Sequence, residues 1–434
     1  MPDLSRHVRV GWALADQSVV SLANFLTIYL FARNLAPPVF GAFILGYTGL
    51  VLLNNLQNAL LVQPHNVLGA PLSGPRYRRF TGALVLAQLA LCASAGAALA
   101  AAGWLAARLG APAPGALLQA LAAAAPFWMG QEFVRRVLYT RRRTLAAALN
   151  DATTYGLQLA GAVALAFAPS GRASAGAALL VLGGSSLAGV LIGAWQLRPQ
   201  VRFGGPQAFA RVLRTWREAW HFGKWLLGQN VVGWFGAQGH VWIVGLLLGV
   251  EEVGLYRAAT HLVNVMNPLL QTSYSYLPAR GSVAFQRGGA EGLSRWVART
   301  RRLLAFAPLP FCIVLVGFPG QVLQLAYGDR YTGTIMPLVL ALAAVAVCIT
   351  FAKYPFDLGL LALRSTRSIF YVHLIPVGLL LTSGVALVHI FGVLGVPLSA
   401  MAINSTLLLA TWRAYRRQLA RARIAGLAGG LASA

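Results

Sequence analysis

The chain has 434 residues, of which 58% are hydrophobic and only 10% charged, with a formal net charge of +25. A water-soluble domain carries roughly a quarter charged residues, so a soluble globular protein is excluded. The same argument removes nucleic acid as the partner that so basic a chain would otherwise suggest.

Apolar stretches of about 18 residues or more recur along the whole length, each long enough to cross a roughly 30 Å hydrocarbon core. They are continuously apolar, without the alternation of barrel strands, so they are read as helices whose backbone bonds close internally. The opening MPDLSRHVRV sets Arg6 and Arg9 before a long apolar span, with no short h-region and cleavage site. It is expected to be a retained first helix. In chain order, spans are predicted at 10–32, 39–63, 80–104, 113–134, 146–168, 174–196, 221–248, 253–278, 303–326, 333–354, 366–391 and 393–412. The fold class is therefore all-α polytopic, with about twelve transmembrane helices. Cys92, Cys312 and Cys348 lie inside spans, spaced unlike a metal site, and are read as packing residues.

Assigning the 35 Lys and Arg residues to alternate sides places 29 on one side and only Arg33, Arg108, Arg172 and Arg330 on the other, with Arg257 and Lys353 inside spans. The positive-inside rule makes the rich side cytoplasmic, with both ends inside. The basic loops Arg135–Arg143 and Arg413–Arg423 read as topogenic charge, with anionic headgroups as the alternative ligand. Between the sixth and seventh spans, 204–222 sets Phe209, Val212, Leu213 and Trp216 at helical spacing among arginines. An amphipathic helix on the inner surface is expected there, joining a six-helix bundle at 1–203 to a second at 223–434.

The halves resemble each other at an offset of 213 residues: Trp12, Leu14, Gln17 and Val19 match Trp225, Leu227, Asn230 and Val232. Leu35, Gly41, Phe43 and Asn54 then match Leu248, Gly254, Tyr256 and Asn267. Six spans are an even number, so the repeats enter the membrane in parallel, an architecture of secondary transporters.

Polar residues inside spans are costly and face a cavity or a partner. Here they gather in spans 1, 2, 7 and 8. Span 1 has Asp16, Gln17, Ser21 and Asn24; span 2 has Asn54, Asn55, Gln57, Asn58 and Gln63. Span 7 has Gln229, Asn230, Gln238 and His240; span 8 has Arg257, His261, Asn264, Asn267 and Gln271 near one stripe. Arg257 has two readings, a contact to cargo on that polar stripe or a snorkelling arginine paired with Glu251 or Glu252. Asp16 and His240 are candidate coupling residues, with hydrogen-bonded packing as the alternative for each. Lys353 and Asp357, i and i+4 around Pro355, are read as a local ion pair. The intramembrane acids are not expected to form a close pair.

The stretch FARNLAPPVFGAFIL and its second-half counterpart WIVGLLLGVEEVGLYRAATHLVNVMNPLLQTSYSYLPAR resemble the polysaccharide transporter (Wzx-like flippase) family of the multidrug/oligosaccharidyl-lipid/polysaccharide (MOP) exporter superfamily. LQLAYGDRYTGTIMPLVLALA and HIFGVLGVPLSAMAIN resemble its later span turns. The resemblance implies two six-helix bundles around a central cavity and a cargo of polyprenyl-diphosphate-linked oligosaccharide, moved across a bacterial inner membrane. On that basis the expected substrate contacts are Gln17, Asn24, Asn54, Asn230, Gln238, Arg257, His261, Asn264, Asn267 and Gln271. Arg76, Arg78, Arg79 and Arg280 are expected to capture the headgroup. The family's cavity cations are not matched in spans 1 and 2, which offer Asp16 and neutral amides, with Arg33 at the outer rim.

No Walker, zinc or GxSxG motif occurs, so no enzyme, cofactor or metal is expected. Expected partners are the lipid-linked glycan and membrane lipids, with a polysaccharide polymerase and glycosyltransferases as candidates. The alternatives to a flippase are a cation-coupled drug antiporter of the same superfamily and a non-transporting subunit that scaffolds a polysaccharide synthesis complex.

Overall fold

The computed structural model describes residues 2–169, 173–203, 208–331, 334–363 and 365–431; side chains are described outside 2–15, 208, 209, 211, 268, 271, 272, 274–276, 366, 367, 370, 373 and 425–431. The described residues contain no strand, and every one of the twelve predicted spans falls on helix. Six helical stretches are long and apolar enough to cross a membrane by length and composition: 37–69, 74–108, 175–200, 277–317, 336–362 and 374–424.

Two compact units divide the chain, Met1–Gln238 and Gly239–Ala434. The first holds α1 (Pro2–Asn34), α2 (Pro37–Gln57), α3 (Gly74–Arg108), α4 (Pro112–Thr140), α5 (Thr144–Ala166), α6 (Ala175–Leu197) and most of α7 (Ala208–Leu247). Prolines open α2, α3 and α4, where no backbone donor is needed. Ser174 caps α6 by accepting from Ala177 N at 3.1 Å. α2 runs on through two widened π turns, Asn58–Val62 and His65–Gly69. They flank Pro64, which cannot donate to the carbonyl one turn back.

α4 is the hub of this unit, packing on α2, α3, α5 and α6. Small residues permit the close approach. A Cβ on Gly183 would lie 2.6 Å from the Ala124 Cα, and one on Gly103 2.9 Å from the Gly115 carbonyl. Toward the basic-loop end, Leu60, Leu61, Phe80, Leu84, Phe133, Val137, Leu138 and Ala219 form one buried cluster.

The segment expected as a separate surface helix differs from that expectation. From residue 208 it is helical and continues unbroken into α7, forming its first four turns. Trp216 and Ala219 pack on the buried cluster, and Gly223 lies against the backbone of Ala59 and Leu60 with no room for a Cβ. With no proline between 208 and 247, nothing in the chain ends the helix.

The second unit holds the end of α7, α8 (Val250–Val263), α9 (Asn267–Phe306), α10 (Leu309–Gly317), α11 (Pro319–Tyr327), α12 (Met336–Ala362), α13 (Thr366–Leu379), α14 (Val385–Phe391) and α15 (Gly395–Leu431). Its hub is α12, against α8, α9, α10, α11, α13 and α15. Three predicted spans are segmented here. Span 8 breaks at a 3-10 turn, Asn264–Met266, just before Pro268. Span 9 is divided among the end of α9, α10 and α11, with Pro308 and Pro319 at the breaks. Span 11 contains Pro376 and a π turn at Leu380–Gly384. α9 itself folds back at Gly288–Gly289, where Gly289 has φ 55°, a conformation open to glycine. Its two arms touch where Gly281 abuts the Trp296 ring.

Candidate functional site

Three helices of the first unit bring ionisable groups together inside it. On α4, GQEFVRR sets Gln131, Glu132 and Arg135 within one turn of each other. On α5, NDATTYGLQ contributes Asn150, Asp151, Thr154 and Gln158; on α1, Asp16 and Gln17 complete the group.

Arg135 is the centre. Its Nε lies 2.6 Å from Asp151 Oδ2, its Nη2 3.6 Å from Asp16 Oδ2, and its Nη1 3.5 Å from Glu132 Oε2. Its Nη2 also donates to Gln17 Oε1 at 3.3 Å. Tyr139 OH donates a short bond to Asp16 Oδ2, and Gln131 Nε2 donates to Asp151 Oδ1 at 2.8 Å. The Asp16 and Asp151 side chains are 1% and 0% exposed, and that of Arg135 9%. Charges buried to this degree persist only when paired and hydrogen-bonded.

The network continues outward. Asn150 Nδ2 donates to the Gly189 carbonyl at 2.8 Å and Gln196 Nε2 to the Ala146 carbonyl at 2.9 Å, tying α5 to α6. Arg136 pairs with Glu132 at 2.6 Å. Among the described residues, three carboxylates therefore face two guanidiniums. Asp16 Oδ1 and Thr154 Oγ1 are buried without a hydrogen-bond partner. The cluster thus holds buried oxygens with hydrogen-bonding capacity left over.

This corrects the expectation that the acids form no close pair. Asp16 and Asp151 share one guanidinium, because α1 packs along α5 and both lie beside α4. Arg135 is likewise not a loop charge. α4 extends to Thr140, which carries Arg135 inside the bundle and buries it.

The predicted site residues of the first unit fall into two groups. Asp16, Gln17 and Asn24 turn toward α4 and α5; Asn24 Oδ1 accepts from Gln158 Nε2 at 3.2 Å. Asn54, Asn230 and Gln238 belong to α2 and α7, where Asn230 Nδ2 donates to the Asn55 carbonyl at 3.0 Å and Trp234 Nε1 to the Thr48 carbonyl at 3.0 Å. Asn54 Oδ1, Asn58 Oδ1 and Gln238 Oε1 are buried without a partner. Such acceptors are rare in finished interiors and are suited to a wet, polar wall. Arg76, Arg78 and Arg79 are exposed in the first turns of α3.

In the second unit His240 bonds Ser399 Oγ at 3.1 Å. His261 is buried, Asn264 half-buried and Asn267 exposed, and Asn267 Nδ2 donates to Asn264 Oδ1 at 3.3 Å across the helix break. The side chain of Gln271 lies outside the described residues. Arg280 is exposed. Arg257 is half-buried, has no carboxylate partner among the described residues, and holds its Nε buried without an acceptor. The expected pairing with Glu251 or Glu252 is absent because both acids sit in the first turn of α8, a turn and more before it. Lys353 and Asp357 do form a local ion pair, at 2.9 Å, with side chains 10% and 3% exposed.

The sequence profile of a family described as "Polysaccharide biosynthesis protein" matches residues 80–336, more than half of the chain. No curated protein matches the sequence. Among solved structures, an inward-facing multidrug resistance MATE family transporter of the MOP superfamily aligns with TM-score 0.67 at 15% identity, covering 95% of this chain and 99% of that one. The lipid II flippase MurJ in an inward closed conformation aligns with TM-score 0.67 at 11% identity, covering 96% and 90%. A MOP superfamily transporter from Pyrococcus furiosus, described as having a binding pocket of reverse polarity, aligns with TM-score 0.58 at 16% identity over 96% of each chain. With the fold of the MOP-superfamily transporters over nearly its whole length, the chain belongs to the polysaccharide biosynthesis protein family.

Proposed function

We propose that the protein is a flippase that moves polyprenyl-diphosphate-linked oligosaccharide from the inner to the outer leaflet of a bacterial inner membrane, supplying polysaccharide biosynthesis. The observation that carries this reading is the conjunction of the family match with a fold shared, end to end, with a lipid II flippase. The chemistry we propose is transport, in keeping with the transporter and the flippase whose fold the chain shares. Cargo moves by alternating access between halves with their ends inside, and the amides of α1, α2 and α7 contact the glycan. Arg257, whose guanidinium lacks an acid, is the residue we assign to the diphosphate, since arginine donates bidentate bonds to such oxygens. Arg76, Arg78, Arg79 and Arg280 gather the headgroup at the inner surface. The family's polymerase and glycosyltransferases are the natural suppliers and consumers of the cargo.

The buried Asp16–Arg135–Asp151 cluster favours coupling to a cation in this reading. Coupling is compatible with a second reading, a cation-driven drug antiporter of the same superfamily. The test is lipid-linked glycan in cells with a null allele, Arg257→Ala or Asp16→Asn at equal protein abundance. Accumulation in the inner leaflet in the null and in Arg257→Ala supports flipping with Arg257 in the site. A null strain without accumulation removes the flippase reading, and drug sensitivity in that strain then selects the antiporter.

A further inference from the structure

α9 and α15 of the second unit pass from apolar to basic at one level. On α9, exposed Leu303 and Phe306 give way to Arg301, Arg302 and Arg299; on α15, Leu408 and Leu409 give way to Trp412, Arg413 and Arg416. At this level lies a cavity of about 400 Å³ lined by Arg301, Phe356, Ser405, Leu408, Leu409 and Trp412. It has an apolar wall from Phe356, Leu408 and Leu409 and a polar mouth from Arg301 and Ser405. Trp412, with the Arg416 guanidinium 5.2 Å from its ring centroid, is the residue type that settles at the headgroup boundary.

The charge around this mouth is one-sided. Residues 295–302 carry four arginines and 413–423 five, against Glu291, which Arg423 pairs at 2.8 Å, and buried Asp357, which Lys353 pairs at 2.9 Å. Arg301 itself has no acidic partner among the described residues and is exposed. Topology alone asks for basic residues on this side of the membrane. It does not ask for an apolar-walled cavity beside one of them, with a hydroxyl at its mouth.

We infer that this cavity is a binding site for an anionic glycerophospholipid of the inner leaflet. The phosphate sits on Arg301, the ester region meets the Ser405 hydroxyl, and one acyl chain runs along Phe356, Leu408 and Leu409. A zwitterionic lipid brings its own ammonium into the arginine field and is disfavoured. The site lies wholly within the second unit and does not depend on the cargo reading.

The experiment is native mass spectrometry of the purified, delipidated full chain, titrated with phosphatidylglycerol or phosphatidylcholine. Phosphatidylglycerol is expected to bind in preference, and Arg301→Gln to weaken it about fivefold, the effect of one basic side chain at a charged surface. Ser405→Phe, which fills the slot without altering charge, is expected to remove the same bound lipid, while Arg295→Gln leaves it in place. Equal binding of the two lipids overturns the inference, as does phosphatidylglycerol binding unchanged by both Arg301→Gln and Ser405→Phe. Displacement of phosphatidylglycerol by equimolar polyprenyl diphosphate also overturns it, because the slot would then be a cargo site.

Discussion

Replacing Arg135 by glutamine removes the one guanidinium that, among the described residues, pairs with both Asp16 and Asp151. Those carboxylates have side-chain exposures of 1% and 0%, so water cannot take over the lost pairing. Removing one partner of a buried ion pair costs about 3–5 kcal/mol, most of it the penalty of the charge left behind. Asp151 keeps the Gln131 bond and Asp16 the Tyr139 bond, which sets Arg135→Gln toward the lower end, about 3 kcal/mol. Arg136→Gln is the matched control: its side chain is 42% exposed and its pair with Glu132 is at the surface, worth about 0–1 kcal/mol. The double variant Arg135→Gln/Asp151→Asn leaves one fewer uncompensated carboxylate and should recover more than half of the loss. Equilibrium unfolding of the wild type, these three variants and the Asp151→Asn single variant in one mixed-micelle system measures these differences. If Arg135→Gln costs no more than Arg136→Gln, or if Asp151→Asn adds its full cost on top, Arg135 does not hold the two acids.

Lys353→Met should destabilise by about 3 kcal/mol because it removes one partner of a buried ion pair, while Lys353→Met/Asp357→Leu should lie nearer the wild type, since well-packed apolar pairs often match a buried ion pair; the same unfolding assay compares them. Gly183 and Gly184 should respond with opposite sign to alanine. At Gly183 the new Cβ meets Ala124 at 2.6 Å, an overpacking cost of about 1–3 kcal/mol. At Gly184 nothing lies within 4 Å, and the helix gains about 0.8 kcal/mol of propensity; melting temperatures in detergent should move down and up respectively. Arg142, at φ 57° in the turn between α4 and α5, should accept glycine with a gain of about 1 kcal/mol, read as a higher melting temperature.

Most of the fold is legible because hydrocarbon is a severe solvent. Apolar length identifies α5 and α6 to within two residues, with Thr144 opening the first and Ser174 capping the second, whereas α3 starts six residues before its expected span and α12 runs eight residues past its own. The misread elements are those whose ends are set by contacts. The first turns of α7 carry an amphipathic pattern, which says that one face is buried but not what buries it. The buried cluster around Leu60 and Phe80 does so, and the segment is a continuation and not a separate surface helix. The reversal in α9 was signalled by Gly288–Gly289, but a glycine pair inside a basic loop looks like any flexible connection until the Gly281–Trp296 contact shows its two arms packed.

The site was half legible for a related reason. Counting arginines by side treats each as a topogenic charge, and Arg135, one residue beyond the expected end of span 4, was absorbed into that count. What marks it apart is Glu132 three residues earlier and Asp151 early in the next helix, acids that a topogenic loop does not need. The same signature recurs in the second unit, where Lys353 has Asp357 four residues on. α4 and α12 are the fourth and tenth predicted spans, equivalent positions in a parallel six-span repeat, and each is the hub of its unit. Each hub thus buries one cation against an acid within a turn, at 3.5 Å for Arg135 and Glu132 and 2.9 Å for Lys353 and Asp357. Arg135 and Lys353 sit on the buried faces of these hub helices, with side chains 9% and 10% exposed, so each cation must be matched by protein. In the first unit the match overshoots by recruiting Asp16 and Asp151 from two neighbouring helices, and in the second it is local and balanced among the described residues. That asymmetry is the physical ground for placing cation coupling in the first unit, with Lys353 and Asp357 as a structural pair whose joint replacement should leave coupling intact.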